Sequence, residues 1–187
     1  RSRTRLAAYQ IWNEPNDDGN PHNLLLELDN SPSNYLAMLR EADNAIDAIA
    51  PSRKIVNAAT TAINQNYPET LEYNQALIAG GIDSVVDAYA IHYYGKNYLN
   101  VILEGGIADS LQSISKPIWV TESGERGANK QLAYVERTWT FLKSEIPSIQ
   151  RFYYYQHTEA SSASRGYGLK NLTPGNSVSD LYLYLIR

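Results

Sequence analysis

A parallel α/β fold is predicted, and three observations predict it. Short apolar segments rich in β-branched and aromatic residues alternate with longer segments of helical periodicity. The boundaries between them carry Gly, Pro, Asn, Asp or Ser. Two of the apolar segments end in a glutamate followed by turn residues, as strands do when they deliver side chains to one mouth of a sheet.

The first strand is expected over Leu6–Trp12. It runs into Asn13-Glu14-Pro15-Asn16 and a loop, Asp17-Asp18-Gly19-Asn20-Pro21, that lacks the ligand spacing of a calcium loop. Ser31-Pro32-Ser33 opens a helix with Ser33 as N-cap. Tyr35, Leu39, Ala42, Ile46 and Ile49 follow at helical spacing, and the helix stops before Pro51. Lys54–Ala59 is the second strand. Glu69–Ala79 is a helix closed by Gly80-Gly81. Val85–Tyr94 is a third strand ended by Gly95, and a helix over about Val101–Ile114 leads to Pro117 and a fourth strand through Thr121. Lys130–Ser144 is a helix turning Leu132, Val135, Trp139 and Leu142 inward. Gln150–Gln156 is the fifth strand. A loop over Ser161–Gly175 precedes a last helix from about Ser177 to Ile186.

At 187 residues the chain suits one domain, residues 1–187, with a sizeable core. A net charge of -4 without a basic stripe argues against a nucleic-acid partner, and no polybasic amphipathic segment argues for a membrane surface. No apolar run approaches the roughly 18 residues of a spanning helix. The chain opens on Arg1-Ser2-Arg3-Thr4-Arg5 and enters a strand almost at once, without the features of a secretory leader. The absence of cysteine excludes disulfides and thiolate metal sites but leaves the compartment open. Fifteen tyrosines supply apolar faces with polar tips, which suit both sugar clefts and half-buried surfaces.

Glu14 and Glu122 close two separate apolar strands, Tyr9-Gln10-Ile11-Trp12 and Ile118-Trp119-Val120-Thr121. Two carboxyls at the mouths of two buried strands are what hydrolysis of a glycosidic bond requires. Glu125, three residues beyond Glu122, is a rival that falls in the turn and reads as a solvated loop acid. His92 and Tyr94 share one side of their strand, and Tyr93 takes the other. A metal set of Glu14, His92 and Glu122 has no supporting ligand spacing in the sequence, so no metal or cofactor is expected. Trp12, Trp119 and Trp139 lie on apolar stripes and read as core.

Ile11-Trp12-Asn13-Glu14-Pro15, Ile91-His92-Tyr93-Tyr94-Gly95 and Trp119-Val120-Thr121-Glu122, in that order, resemble the retaining glycoside hydrolases of clan A, with families 39 and 5 the nearest flavour. The resemblance implies a (β/α)8 TIM barrel in which this chain supplies only strands 4 to 8 and their helices. Five strands cannot close such a barrel. Strands 1 to 3 would come from a longer protein or from another chain or subunit. The resemblance further implies a Glu14 acid/base, a Glu122 nucleophile, Asn13 on the sugar hydroxyl beside the reacting carbon, Tyr94 holding the nucleophile and His92 lining the pocket. Strand 8 departs from the clan. Tyr153-Tyr154-Tyr155-Gln156 stands where a tryptophan platform usually sits, and Tyr155 is the candidate to stack on a sugar.

Each residue also has a plainer reading. Asn13 and Glu14 read as a turn-capping amide and a helix-entry acid, and His92 and Tyr94 as interior groups satisfied by neighbours. Two functions follow: an enzyme cleaving a β-linked oligo- or polysaccharide, or a half-barrel that binds saccharide or assembles without catalysis. The Asn171-Leu172-Thr173 sequon matters only in a glycosylating pathway. Export to meet a polysaccharide follows from that activity alone, not from any residue.

Overall fold

Strict alternation of strand and helix leaves parallel pairing as the natural arrangement, and every strand pair in the computed structural model is parallel. It describes residues 6–20, 23, 31–159, 166–170 and 178–187. Strand β1 (Ala8–Ile11) pairs with β2 (Lys54–Asn57), and β3 (Tyr89–Tyr94), β4 (Ile118–Gly124) and β5 (Ile149–Tyr154) form a second sheet in that order. A single parallel bridge, Val56 to Ala88, spans the gap between the sheets. Asp87 reinforces it. Its carboxylate accepts from the Ile55 amide at 2.9 Å while its own amide donates to the Ile55 carbonyl at 2.8 Å.

Helix α1 (Pro32–Asp47) begins one cap earlier than the sequence suggests. Ser31, not Ser33, accepts from the Asn34 amide at 3.3 Å, because Pro32 takes the first helical position, where a missing N–H costs nothing. Tyr35, Leu36 and Leu39 are buried, but the helix ends at Asp47 and leaves Ile49 86% exposed. Helix α2 (Glu69–Ala79) has the expected bounds, with Gly81 supplying the left-handed residue (φ 81°) just past its end. The third strand is shorter than expected, beginning at Tyr89 rather than Val85, and Ile82–Ser84 ahead of it coils into a 3-10 turn. The helix expected over 101–114 is two: α3 (Leu99–Ile102) and α4 (Ile107–Leu111), broken at Gly105-Gly106, where Gly105 has φ 70°.

A π turn, Val135–Trp139, lies between α5 (Gln131–Tyr134) and α6 (Thr140–Glu145). It rotates the inward face, so Gln131, Tyr134, Thr138 and Leu142 are buried while Leu132, Val135 and Trp139 are only half-buried. The last helix, α7 (Asp180–Leu185), is capped by Ser179, which accepts from the Tyr182 amide at 3.0 Å. Ser177, the sequon, Arg1–Arg5 and most of the Ser161–Gly175 loop lie outside the described residues. No described helix is long and apolar enough to cross a membrane.

The strands separate two apolar layers. On the helix side, Ile55, Ile91, Tyr93, Ile118 and Val120 pack with Leu39, Leu77, Leu111 and Leu142. On the opposite side Val56, Ala88, Ala90 and Trp119 form a smaller cluster. Tyr35 ties the strand ends to the helix layer, donating to the Ile11 carbonyl at 3.0 Å and accepting from the Ala58 amide. Burial raises the pKa of its hydroxyl, keeping it neutral. Tyr35→Phe strips both backbone groups of that partner, and the expected cost is about 1–3 kcal/mol. Urea denaturation should show a lower midpoint at unchanged slope; an unchanged midpoint would show that the hydroxyl ties nothing.

Candidate active site

The C-terminal ends of β1, β3 and β4 converge on one cleft. Beyond β1 the chain leaves extended geometry at once: Trp12 has φ 76° and Glu14 φ 45°. Left-handed backbone is uncommon for such side chains and costs on the order of 1–3 kcal/mol per residue, so the surroundings must hold it. The Glu14 amide donates to the Ala59 carbonyl at 2.9 Å. Asn16 exchanges two hydrogen bonds with Thr61, each 2.9 Å. The turn is thereby stapled to the end of β2.

Glu122 is aimed by a β-bulge. Ile91 pairs with Val120, but the next residue of β3, His92, pairs with Glu122, leaving Thr121 unopposed. The strand continues through Glu122 to Gly124 rather than ending at Thr121 as expected. The extra residue resets the side-chain alternation, so Glu122 enters the cleft instead of the helix layer beneath Val120.

His92 is fully buried between the two glutamates. Its Nδ1 lies 3.0 Å from Oε1 of Glu14 and its Nε2 3.8 Å from Oε1 of Glu122. One carboxylate oxygen of each glutamate and a His92 nitrogen all lie within 4.8 Å of one another. Those atoms are also placed where they could hold a cation, an arrangement the linear spacing did not reveal. Tyr94 donates to Oε2 of Glu122 at 2.8 Å. Burial, with Glu122 beside it, raises the Tyr94 pKa and keeps the hydroxyl a donor. Tyr93 points into the core, as its position predicts.

Tyr155 lies just past β5, half-buried, and its pKa is raised by burial first and then by the charges of Glu122 and Glu14. Its ring meets Tyr94 edge-on at 6.2 Å. Asn13 is half-buried on the turn between Trp12 and Glu14. Glu125 is not a freely solvated acid: it pairs with Lys96 at 3.2 Å.

Two site neighbours escaped the sequence reading. Tyr167 packs edge-on against Tyr94 (5.4 Å) and Tyr155 (6.1 Å), completing a three-tyrosine wall. Gln131 holds its segment by donating to the carbonyls of Gly166, Tyr167 and Gly168 at 3.0, 3.2 and 3.3 Å. Gly124 makes this closure feasible, since a Cβ there would lie 2.6 Å from the Tyr155 carbonyl oxygen. The flanking glycines of Tyr167 were the available signal. The second neighbour is Asn23, whose amide donates to Oε2 of Glu14 at 3.0 Å. Trp12, expected in the core, is 38% exposed and donates its indole N–H to the Asn23 carbonyl at 3.0 Å. Trp119 is core, under the Arg151 guanidinium at 4.6 Å, and Trp139 stacks on Phe152.

A family model described as "Glycosyl hydrolase catalytic core" matches residues 10–179, and the chain belongs to that family. No curated protein matches it significantly. Among solved structures, it is similar to a family 128 (subgroup III) curdlan-specific exo-β-1,3-glucanase from Blastomyces gilchristii, with 18% identity over 80% of this chain and 61% of that one, at a TM-score of 0.56. It is also similar to an endo-1,4-β-mannanase from Rhizomucor miehei, at 17% identity, 90% and 49% coverage and a TM-score of 0.57. A family 30 endoxylanase from Clostridium papyrosolvens C71 matches at 14% identity, 80% and 34% coverage and a TM-score of 0.51. At these identities the likeness is one of fold. The chain spans less than two thirds of the length of each of these structures.

Proposed function

We propose that this chain carries the catalytic centre of a retaining β-glycosidase, with Glu14 as acid/base and Glu122 as nucleophile. The observation that carries the proposal is the approach of the two carboxylates, with an oxygen of each within 4.8 Å across His92. Retaining pairs stand about 5–5.5 Å apart and inverting pairs about 6.5–9.5 Å. Glu122 attacks the anomeric carbon while Glu14 gives its proton to the departing glycosidic oxygen, which takes the bond's electrons. Water then attacks the same carbon, loses a proton to Glu14 and releases the Glu122 carboxylate. Tyr94, bonded to Oε2, leaves Oε1 to make the attack. Asn13 would meet the hydroxyl beside the reacting carbon, and Tyr155 the sugar face.

The five strands support reading the chain as strands 4 to 8 of a (β/α)8 barrel, within clan A and near families 39 and 5. Their non-helix side carries a groove lined by Gln10, Val56, Trp119, Arg151 and Tyr153, which further strands would cover. The substrate class proposed is a β-linked glucan, mannan or xylan, after the similar structures. Proton NMR of an aryl β-glycoside digest with the full-length protein tests the mechanism. The first-formed product should be the β-anomer, and turnover should survive a chelator; a first-formed α-anomer would overturn the retaining assignment.

The alternative reading is a saccharide-binding or assembly half-barrel without catalysis. Saccharide binding by the full-length protein without turnover, unaffected by loss of either glutamate, would establish it.

A further inference from the structure

We infer that Asn23 is a positioning residue for proton transfer, acting through Glu14 and held in place by Trp12. The inference rests on the acid/base reading of Glu14. A glutamate that must hand a proton to one oxygen and later take one from water has to present its carboxyl in a fixed direction. The Glu14 side chain is partly exposed, and His92 fixes only its Oε1. One contact leaves the carboxyl free to pivot; the Asn23 amide, 3.0 Å from Oε2, supplies the second point. Because its other neighbour is the Asp17 carboxylate, at 3.3 Å, the amide must turn its nitrogen toward both acids.

Asn23 is itself tethered away from the site. Its backbone N–H donates to the Asn20 carbonyl at 2.9 Å, and its carbonyl accepts the Trp12 indole at 3.0 Å. This accounts for the left-handed, half-exposed Trp12. An indole kept in the core could not reach Asn23. Trp12, Asn23 and Glu14 thus form a brace across the turn, joining the strand end to the acid.

A brace for the acid is needed only when the leaving group needs protonation, and that separates it from a residue that merely holds the loop. Asn23→Ala and the isosteric Asn23→Asp should each be assayed in the full-length protein on phenyl and 2,4-dinitrophenyl β-glycosides of the glycone the wild type prefers. The expected result is a fall in kcat/KM on the phenyl glycoside of roughly 10- to 100-fold, as for loss of a hydrogen bond to a charged group, with less than about a threefold change on the dinitrophenyl glycoside. An equal fall on both substrates, or no change on either, overturns the inference while the acid/base reading stands. Wild-type protein that cleaves neither glycoside overturns both. Asn23→Asp keeps the comparison decisive if Asn23→Ala does not fold.

Discussion

Replacing Glu122 by alanine should abolish turnover on every aryl β-glycoside, whatever its leaving group, by roughly 10⁴-fold or more. The size follows from the step removed: without a carboxylate beside the anomeric carbon there is no glycosyl-enzyme to form. Leaving-group ability cannot compensate, because bond formation to the enzyme is what is lost. The change also deprives the Tyr94 hydroxyl of its acceptor at 2.8 Å, so circular dichroism and a urea melt should accompany the assay. Turnover within tenfold of wild type by a folded Glu122→Ala protein would remove Glu122 from the nucleophile role and leave Glu125, held by Lys96, as the carboxylate to examine next.

Glu14→Ala should separate the two half-reactions. On a phenyl glycoside, whose departure needs a proton, kcat/KM should fall by roughly 10²- to 10⁴-fold. On a 2,4-dinitrophenyl glycoside the first step proceeds without the acid, but water attacks the glycosyl-enzyme without a base. The covalent intermediate then accumulates, and a burst of dinitrophenolate equal to the enzyme concentration should precede slow turnover with a lowered KM. A uniform fall on both substrates with no burst would show that Glu14 acts on the fold rather than on the proton.

Much of this arrangement is legible in the sequence. Glu14, His92, Tyr94 and Glu122 stood out because each is a polar residue at the end of an apolar strand, where a parallel sheet gathers side chains. Helix α2 was readable to the residue, since Gly80-Gly81 marks its end. The misses along strands and helices have a common cause: periodicity registers which residues are apolar and not how the backbone turns beneath them. The Val101–Ile114 pattern reads as one helix because Gly105-Gly106 does not interrupt its apolar spacing, yet Gly105 takes a left-handed φ. The inward stripe of Lys130–Ser144 was displaced by a π turn with no compositional mark. Trp12 read as core because it follows Ile11, and only its φ of 76° turns it outward. Asn23 and Tyr167 were missed for another reason. They reach the site from loops, where contact depends on closure in space rather than on any interval along the chain.

The unopposed Thr121 has a consequence for sorting related sequences. Strand β4 keeps Glu122 on the cleft side, although one residue more than simple alternation allows stands between Val120 and the carboxylate, because nothing in β3 opposes Thr121. A relative with one residue inserted between the counterparts of Ile91 and His92 would give Thr121 a partner and remove the bulge, yet its glutamate would still align over this one and pass any test based on residue identity. Its carboxylate would nonetheless swing through half a pleat and face Leu142 and its neighbours in the helix layer. The residue counts of the two strands taken together, Ile91 to His92 and Val120 to Glu122, are therefore a better criterion of a functional homologue than the glutamate itself, and gaps placed there call for inspection before an activity is transferred.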